Sequence, residues 1–315
     1  MKAAIVDQAG QTPAYGDFAE PVAAAGERLV SVRAAALSPL ARMRASGRHY
    51  SSSGTFPFVA GVDGTGTLED GTPVYFLLPR APFGAMAERT VAAADHCLPL
   101  PAGLDPVRAA TIANPGMSSW AALTERARFR AGESVLINGA TGASGQLAVR
   151  IARHMGARKV IATGRNRAAL DALEADMAIA LDDNDAALDH AFRAAFVQGV
   201  DVVLDYLWGP SAERLLAAGV KAGPEGIPIR FVQIGTSSGA DIALPGAVLR
   251  SSAIELMGSG IGSVALPRLM AAIGGVFAAA ASARLDLPAT ALPLSEVTQA
   301  WQQPPADRIV FTLNV

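Results

Sequence analysis

The feature that most constrains this chain is the run from Ser134 to Ala152. Ser134-Val135-Leu136-Ile137-Asn138 is short and apolar with two β-branched members, the composition of a buried parallel strand. Glycines follow at 139, 142 and 145, and a helical pattern starts at once, with Ala148, Ile151, Ala152 and Met155 on one face. A strand that turns sharply into a helix needs small residues. The backbone must approach a ligand closely, and the helix must pack close to its strand. The free N–H groups and positive dipole end of such a helix point at an anion, most often a pyrophosphate. Gly139, Ala140, Thr141, Gly142, Ala143, Ser144 and Gly145 are therefore the expected phosphate-binding loop.

A second strand, Lys159-Val160-Ile161-Ala162-Thr163, closes a βαβ unit of about 30 residues. Gly164-Arg165-Asn166-Arg167 follows. Sites for NAD usually place Asp or Glu here, hydrogen-bonded to the ribose 2′-hydroxyl. This chain has no acid there and two arginines instead. A carboxylate repels a 2′-phosphate, whereas a guanidinium pairs with it bidentately. The segment predicts an NADPH site.

The chain has 315 residues, 51% of them hydrophobic, and a formal net charge of −2. That length suggests two domains. Near-neutral charge and scattered arginines argue against nucleic acid or an anionic membrane as partner. Cys97 is the single cysteine, so no disulfide can form within the chain and no Cys cluster can hold structural zinc. Asp7 interrupts the apolar start before a signal-peptide core can form. Leu266 to Leu285 holds Pro267, Arg268 and Arg284 and makes a poor membrane span. A soluble cytoplasmic enzyme is expected.

Residues 1 to about 113 lack strand–helix alternation. Ala3–Val6, Arg28–Ala34, Gly61–Leu68 and Thr72–Leu77 read as strands, with Glu69-Asp70-Gly71 turning between the last two. Pro and Gly punctuate the region, which suits a small irregular β-barrel-like domain. Beyond it, Pro106–Ile112 reads as a short helix, Asn114-Pro115-Gly116 as a turn and Ser118–Phe129 as a longer helix. Further strands are legible at Asp201–Asp205, Arg230–Ile234 and Ala253–Met257, and helical patterns separate most of them. That alternation predicts a doubly wound parallel sheet over 114–283. The tail from 284 to 315 turns strand-like again and is expected to return to the first domain.

These pieces, in this order, resemble the medium-chain dehydrogenase/reductase superfamily, and within it the zinc-free quinone oxidoreductase and enoyl reductase branch. The residues that carry the resemblance are Pro57–Gly66, Phe83–Glu88, Leu100–Leu104, Ala131–Ile137, the loop of Gly139–Gly145, Gly199–Asp205 and Ile234–Gly239. The resemblance implies an α/β protein: a GroES-like β-rich catalytic domain, 1–113 completed by 284–315, and a Rossmann NADPH-binding domain at 114–283. It also implies a homodimer joined along the edge strands of the nucleotide domains. Zinc members of the superfamily carry Gly-His-Glu near Gly61-Val62-Asp63; here the histidine is valine, and no metal is expected. Short-chain dehydrogenases share a stretch like Thr163–Asn166 but need a Tyr-x-x-x-Lys pair, which this chain lacks.

Reduction of a quinone or an α,β-unsaturated carbonyl needs a hydrogen-bond donor for the oxyanion that develops. Tyr50 resembles the tyrosine of the branch's Gly-x-Tyr, which donates a proton in the enoyl thioester reductases; an amphipathic residue capping a loop is the structural alternative. His49 beside it can titrate near neutral pH, but a solvated position fits it better. Ser38 stands where many quinone reductases begin an Asn-Pro-x-Asp, and Ala41 replaces the acid. Gly235-Thr236-Ser237 follows a strand of the second half-sheet, where the family lets its backbone meet the nicotinamide. The expected activity is NADPH-dependent reduction of quinones or activated double bonds of small lipophilic carbonyl compounds. An enoyl thioester reductase and a non-catalytic NADPH-binding sensor or structural protein are the alternatives. Arg42, Arg44, Arg48 and Arg80 are the cations that could give a basic mouth for coenzyme A phosphates.

Overall fold

The computed structural model describes residues 1–47, 55–182, 184–303 and 308–313. In chain order the first elements are β1 (Lys2–Val6), β2 (Ala14–Asp17), β3 (Glu27–Ala36), α1 (Pro39–Ala45), β4 (Phe58–Val59), β5 (Asp63–Leu68), β6 (Pro73–Leu77), β7 (Arg89–Ala93), β8 (Cys97–Pro99) and α2 (Pro106–Ala121). Strict alternation follows: β9 (Ser134–Asn138), α3 (Ala143–His154), β10 (Lys159–Gly164), α4 (Arg167–Asp171), β11 (Met177–Ala180), α5 (Asp185–Val197), β12 (Val202–Asp205), α6 (Gly209–Ala222), β13 (Ile229–Gln233), α7 (Gly246–Arg250), β14 (Ile254–Gly258) and α8 (Leu266–Ala279). The chain closes with β15 (Ala289–Pro293), α9 (Val297–Gln302) and β16 (Arg308–Thr312). It divides into two units, Met1–Asn114 with Asp286–Val315, and Pro115–Leu285.

The first unit is β-rich. Its larger sheet runs β15-β16-β3-β5-β6-β8, with β7 also paired to β3, and a three-stranded sheet runs β2-β1-β4. In β3, Val30 and Val32 point into a core shared with Phe76, Met86 and Phe311, while Arg33 is exposed. A bulge between Val32 and Ala34 then shifts the register against β5. Beyond it Ala34, Ala35 and Ala36 are buried in succession, because Ala34 and Ala36 pack on Ala110 and Val310 while Ala35 stays with the main core. β16 pairs antiparallel with β3, so the tail is part of this unit.

The second unit is a six-stranded, all-parallel sheet in the order β11-β10-β9-β12-β13-β14. Each connection is a crossover, and the central strands are buried on both sides, as their apolar runs require. Leu136, Ile161, Val203 and Phe231 meet Phe192 and Phe196 of α5 and Leu215 and Leu216 of α6 in one core. β11, a four-residue edge strand, lacked the length and β-branched content to be read from the sequence.

One reading of local structure is corrected. Asn114-Pro115-Gly116 is not a turn between two helices; α2 runs unbroken through it to Ala121, with Pro115 inside. Proline removes its own N–H from the ladder and its ring crowds the carbonyl four residues back, and tertiary packing can override that cost. Here the Pro115 carbonyl accepts from the hydroxyls of Ser118 (2.8 Å) and Ser119 (3.3 Å). Gly116 lies so near Val276 that a Cβ would stand 2.9 Å from its Cγ1. The helix then widens into a π turn at Ala122–Arg126 in place of the longer α-helix expected to Phe129.

A polar cluster lies inside the first unit. Asp63, at the start of β5, is fully buried and accepts from the Tyr75 hydroxyl at 3.1 Å. Its other oxygen, Oδ1, has no hydrogen-bond partner, nor have Nε and Nη2 of Arg308 or Nδ2 of Asn114. Burial pushes the Asp63 carboxyl up to about 6; the Arg308 charge and the Tyr75 and Asn114 dipoles oppose the rise without cancelling it. An acid whose pKa is raised by folding binds its proton more tightly in the native state. Its contribution is therefore present at low pH and is lost as pH rises through the folded value. Between pH 4.5 and 7.5, wild type should lose roughly 2 kcal/mol of unfolding free energy relative to Asp63→Asn. Urea unfolding of both proteins across that range measures the difference, and a constant difference would disprove a neutral Asp63.

Candidate cofactor and catalytic sites

Strand register builds the site in the second unit. Thr163 pairs with Asn138, and Asn138 with Asp205, so three polar side chains end three adjacent apolar strands at one level. All three are completely buried. Thr163 Oγ1 donates to Asn138 Oδ1 at 2.7 Å, and Asn138 Nδ2 donates to Asp205 Oδ1 at 2.8 Å and to Ser211 Oγ at 2.9 Å. The chain of bonds enters the glycine loop, where Gly139 N–H donates to Thr163 Oγ1 at 3.2 Å and Ala140 N–H to the Thr163 carbonyl at 2.8 Å.

The loop itself has no spare room on its inner side. A Cβ on Gly145 would stand 2.3 Å from the Gly139 carbonyl oxygen and 2.5 Å from Ala140 Cα. Gln146 Nε2 pins the Thr141 carbonyl at 3.0 Å. Gly142 opens α3 without any side chain capping its first turn. The first N–H groups of that 12-residue helix thus have no local side-chain acceptor and are suited to an anion. This arrangement fits the diphosphate of a dinucleotide.

Two neighbouring loops are tied to the same level. Asp205 also accepts from the backbone N–H groups of Leu207 (3.0 Å) and Trp208 (3.1 Å), which holds Trp208 at a φ of 58°. Its ψ of −159° places it in a positive-φ extended region that is nearly exclusive to glycine and costs a side chain about 1–3 kcal/mol. Burial raises the Asp205 pKa against the pull of these three donors. The loop after β13 docks on this turn: Gly235 N–H donates to the Asp205 carbonyl (3.1 Å), and Ser237 Oγ (3.0 Å) and Ser238 N–H (2.8 Å) donate to the carbonyls of Tyr206 and Leu207. Tyr206 shares a 2.7 Å hydrogen bond with Ser119, whose hydroxyl also contacts the Ser144 carbonyl at 3.2 Å. Burial pushes the Tyr206 hydroxyl up to about 12, so it stays neutral and structural.

The structure therefore brings Gly139–Gly145, Gly164 and Gly235–Ser237 to the carboxyl ends of one parallel sheet, where open α/β sheets bind ligands. The basic tip is more divided. Arg165 is exposed; Arg167 pairs with Asp182 at 3.3 Å; Asn166 Oδ1 caps α4 by accepting from Ala169 N–H at 3.0 Å. Sequence reasoning assigned no site role to Asn138, Thr163, Tyr206, Ser119 or Asp205. A signal was present: a polar residue closes each of three otherwise apolar strands.

In the first unit, Ser38 is buried and caps α1, its Oγ accepting from Ala41 N–H at 3.1 Å. Tyr50, with His49, lies outside the described residues. Burial pushes the Cys97 thiol up to about 11, so it is a poor nucleophile. Among the described residues no group of three or more His, Cys, Asp or Glu is placed to hold a metal ion.

No protein-family model matches the chain. The chain is 29% identical, over 96% of both sequences, to a probable NADPH-dependent quinone reductase of Emericella nidulans. It is similar to the quinone oxidoreductase of Thermus thermophilus, solved alone and with NADPH: 27% identity, 99% and 100% of the two chains covered, TM-score 0.81. A mycobacterial quinone oxidoreductase shares the fold at TM-score 0.85 and 19% identity, with 99% and 100% covered.

The polar row should be the most sensitive point of the second unit. Asn138→Ala removes the amide from Asp205, Ser211 and the Thr163 hydroxyl, leaving each with one bond fewer, and should lower the unfolding free energy by about 2 kcal/mol or more. Urea unfolding checks this. A loss under about 0.5 kcal/mol, the level of an ordinary surface change, would mean that the row does not hold the loops.

Proposed function

We propose that the chain belongs to the medium-chain dehydrogenase/reductase superfamily, in its quinone-oxidoreductase-like branch, and is an NADPH-dependent oxidoreductase of quinones or α,β-unsaturated carbonyl compounds. The observation that carries this reading is the uncapped first turn of α3 behind a glycine loop too tight for a side chain at 145. The bound NADPH supplies a hydride to an electrophilic carbon. Gly139–Gly145 hold its diphosphate through backbone N–H groups. Gly164, Arg165, Asn166 and Arg167 receive the 2′-phosphate, with exposed Arg165 as the principal cation. Gly235, Thr236 and Ser237 offer backbone to the nicotinamide.

Ser38 and Tyr50 stabilise the oxyanion that develops on the substrate. Ser38 Oγ uses a lone pair to cap α1 and keeps its hydroxyl proton for donation. Val62, where zinc members carry histidine, supports a reaction without metal. β14 has one paired edge and one open edge, which supports a homodimer joined strand to strand. Among the described residues no helix is long and apolar enough to cross a membrane. A cytoplasmic enzyme with no membrane or nucleic-acid partner is the reading these features support.

The direct test follows NADPH oxidation by absorbance against a small quinone, an enone and an enoyl thioester, with wild type and Tyr50→Phe side by side. Turnover of the quinone or enone, reduced at least tenfold in the variant, is expected. Turnover confined to the thioester would shift the assignment to an enoyl thioester reductase, and none, despite tight NADPH binding, to a sensor. Cofactor choice has its own test. Arg165→Glu should weaken NADPH binding at least tenfold relative to NADH, since a charge-assisted pair is replaced by repulsion. An unchanged ratio would remove Arg165 from the site.

A further inference from the structure

Tyr206 follows the last residue of β12, and three segments of the second unit close on it. Its N–H donates to the Asn138 carbonyl at 3.0 Å, so its backbone continues the pairing of β12 with β9. A Cβ at Gly139 would stand 3.5 Å from Tyr206 Cβ. A Cβ at Gly235 would stand 2.6 Å from the Tyr206 carbonyl oxygen, which also accepts from Ser237 Oγ at 3.0 Å. The glycine loop and the loop after β13 thus both rest on this residue. Its ring carries the hydroxyl to a third segment, α2, where it meets Ser119 Oγ at 2.7 Å.

Ser119 is fully buried and has a single proton to donate. Two carbonyls compete for it: Pro115, four residues back in the same helix, at 3.3 Å, and Ser144 at 3.2 Å. A bond to Pro115 serves α2 alone, whereas a bond to Ser144 crosses to the first turn of α3. The Tyr206 hydroxyl, donating to a lone pair of Ser119, leaves the serine proton for a carbonyl. The Ser144 carbonyl belongs to the same planar peptide unit as the Gly145 N–H. Gly145 is the third residue of α3, and its N–H has no acceptor within the helix. Fixing that carbonyl therefore fixes the direction of an N–H that is free for an anion at the helix start.

We propose that Tyr206 is a positioning residue of the dinucleotide site: through Ser119 it sets the Ser144–Gly145 peptide, and with it the affinity of the glycine loop for a diphosphate. The diphosphate is common to NADPH and NADH, so the bond governs affinity and leaves the choice between the two to residues 165–167. The setting of the peptide stands on the geometry alone; its effect on nucleotide affinity rests on the reductase reading above.

Hydrogen exchange, followed by mass spectrometry on the full chain without nucleotide, reads the first part. Tyr206→Phe removes only the hydroxyl and should speed exchange in a peptide covering 139–149 by about threefold or more, and Ser119→Ala should do the same. Phe192→Leu, a core change on α5, is the control for lost stability and should leave that peptide at the wild-type rate. Titration followed by nucleotide fluorescence reads the second part. Tyr206→Phe and Ser119→Ala should each weaken NADPH and NADH by the same factor, about fivefold, the effect of one hydrogen bond. The double variant should bind within about twofold of either single one, because the same bond is lost in all three. Ser119→Thr keeps the hydroxyl and should bind within about twofold of wild type. Unchanged exchange in both single variants, unchanged affinity in both where wild type binds NADPH, or losses that multiply in the double variant would overturn the proposal. Faster loop exchange in the variants of a wild type that binds neither nucleotide keeps the peptide-setting role and rejects the reductase reading alone.

Discussion

A single carboxamide, that of Asn138, joins three strands at the point where each gives way to a loop. Its oxygen accepts from Thr163 on β10, and its nitrogen donates to Asp205 on β12 and to Ser211 on α6. Parallel pairing alone leaves the last residues of a strand free to fray. A fully buried amide does not, because leaving any of its groups unpaired costs the desolvation of that group. The glycine loop, the 205–208 turn and the loop after β13 are all hydrogen-bonded to this row or to its immediate neighbours. Their mutual positions follow from strand register, and the carboxyl edge of the parallel sheet is preorganised by its own core.

Two buried aspartates show how differently one side chain can be used. Asp205 receives donors from Asn138, Leu207 and Trp208, which stabilise its charge and organise a turn. Asp63 accepts from Tyr75 and keeps one oxygen without a hydrogen bond, as do two nitrogens of Arg308, whose charge acts on it. Burial raises both pKa values. The number of donors decides how far that rise is opposed. The Asp205 cluster is saturated and fixes backbone; the Asp63 cluster is not, and its charge state follows pH.

The β-rich unit repeats this contrast among its cations. Arg42 and Arg80 spend their donors on carbonyls and a carboxylate and lie over aromatic rings, so they hold elements together. Arg44, one helical turn's reach from Ala41, lines a cleft that also holds Phe56, Phe58 and Phe83. Helical geometry separates these roles, since side chains two positions apart on a helix do not share a face.

Much of the fold was legible in the sequence because its strongest signals are local. Apolar runs of strand length, glycines three apart and an immediate helical period report a strand, a tight turn and a helix whatever surrounds them. The parallel sheet, the tight glycine loop and the strand-like tail all came from such patterns. Other features depended on partners distant in the chain. Gly116, beside Pro115 inside α2, packs against Val276, and Met177–Ala180 forms a strand by pairing with β10. The roles of Asn138, Thr163 and Asp205 depend on register, which aligns residues up to 67 positions apart. Periodicity determines which face of an element is buried. Only tertiary structure decides what that face meets, because burial is a property of a residue and a hydrogen bond is a property of a pair.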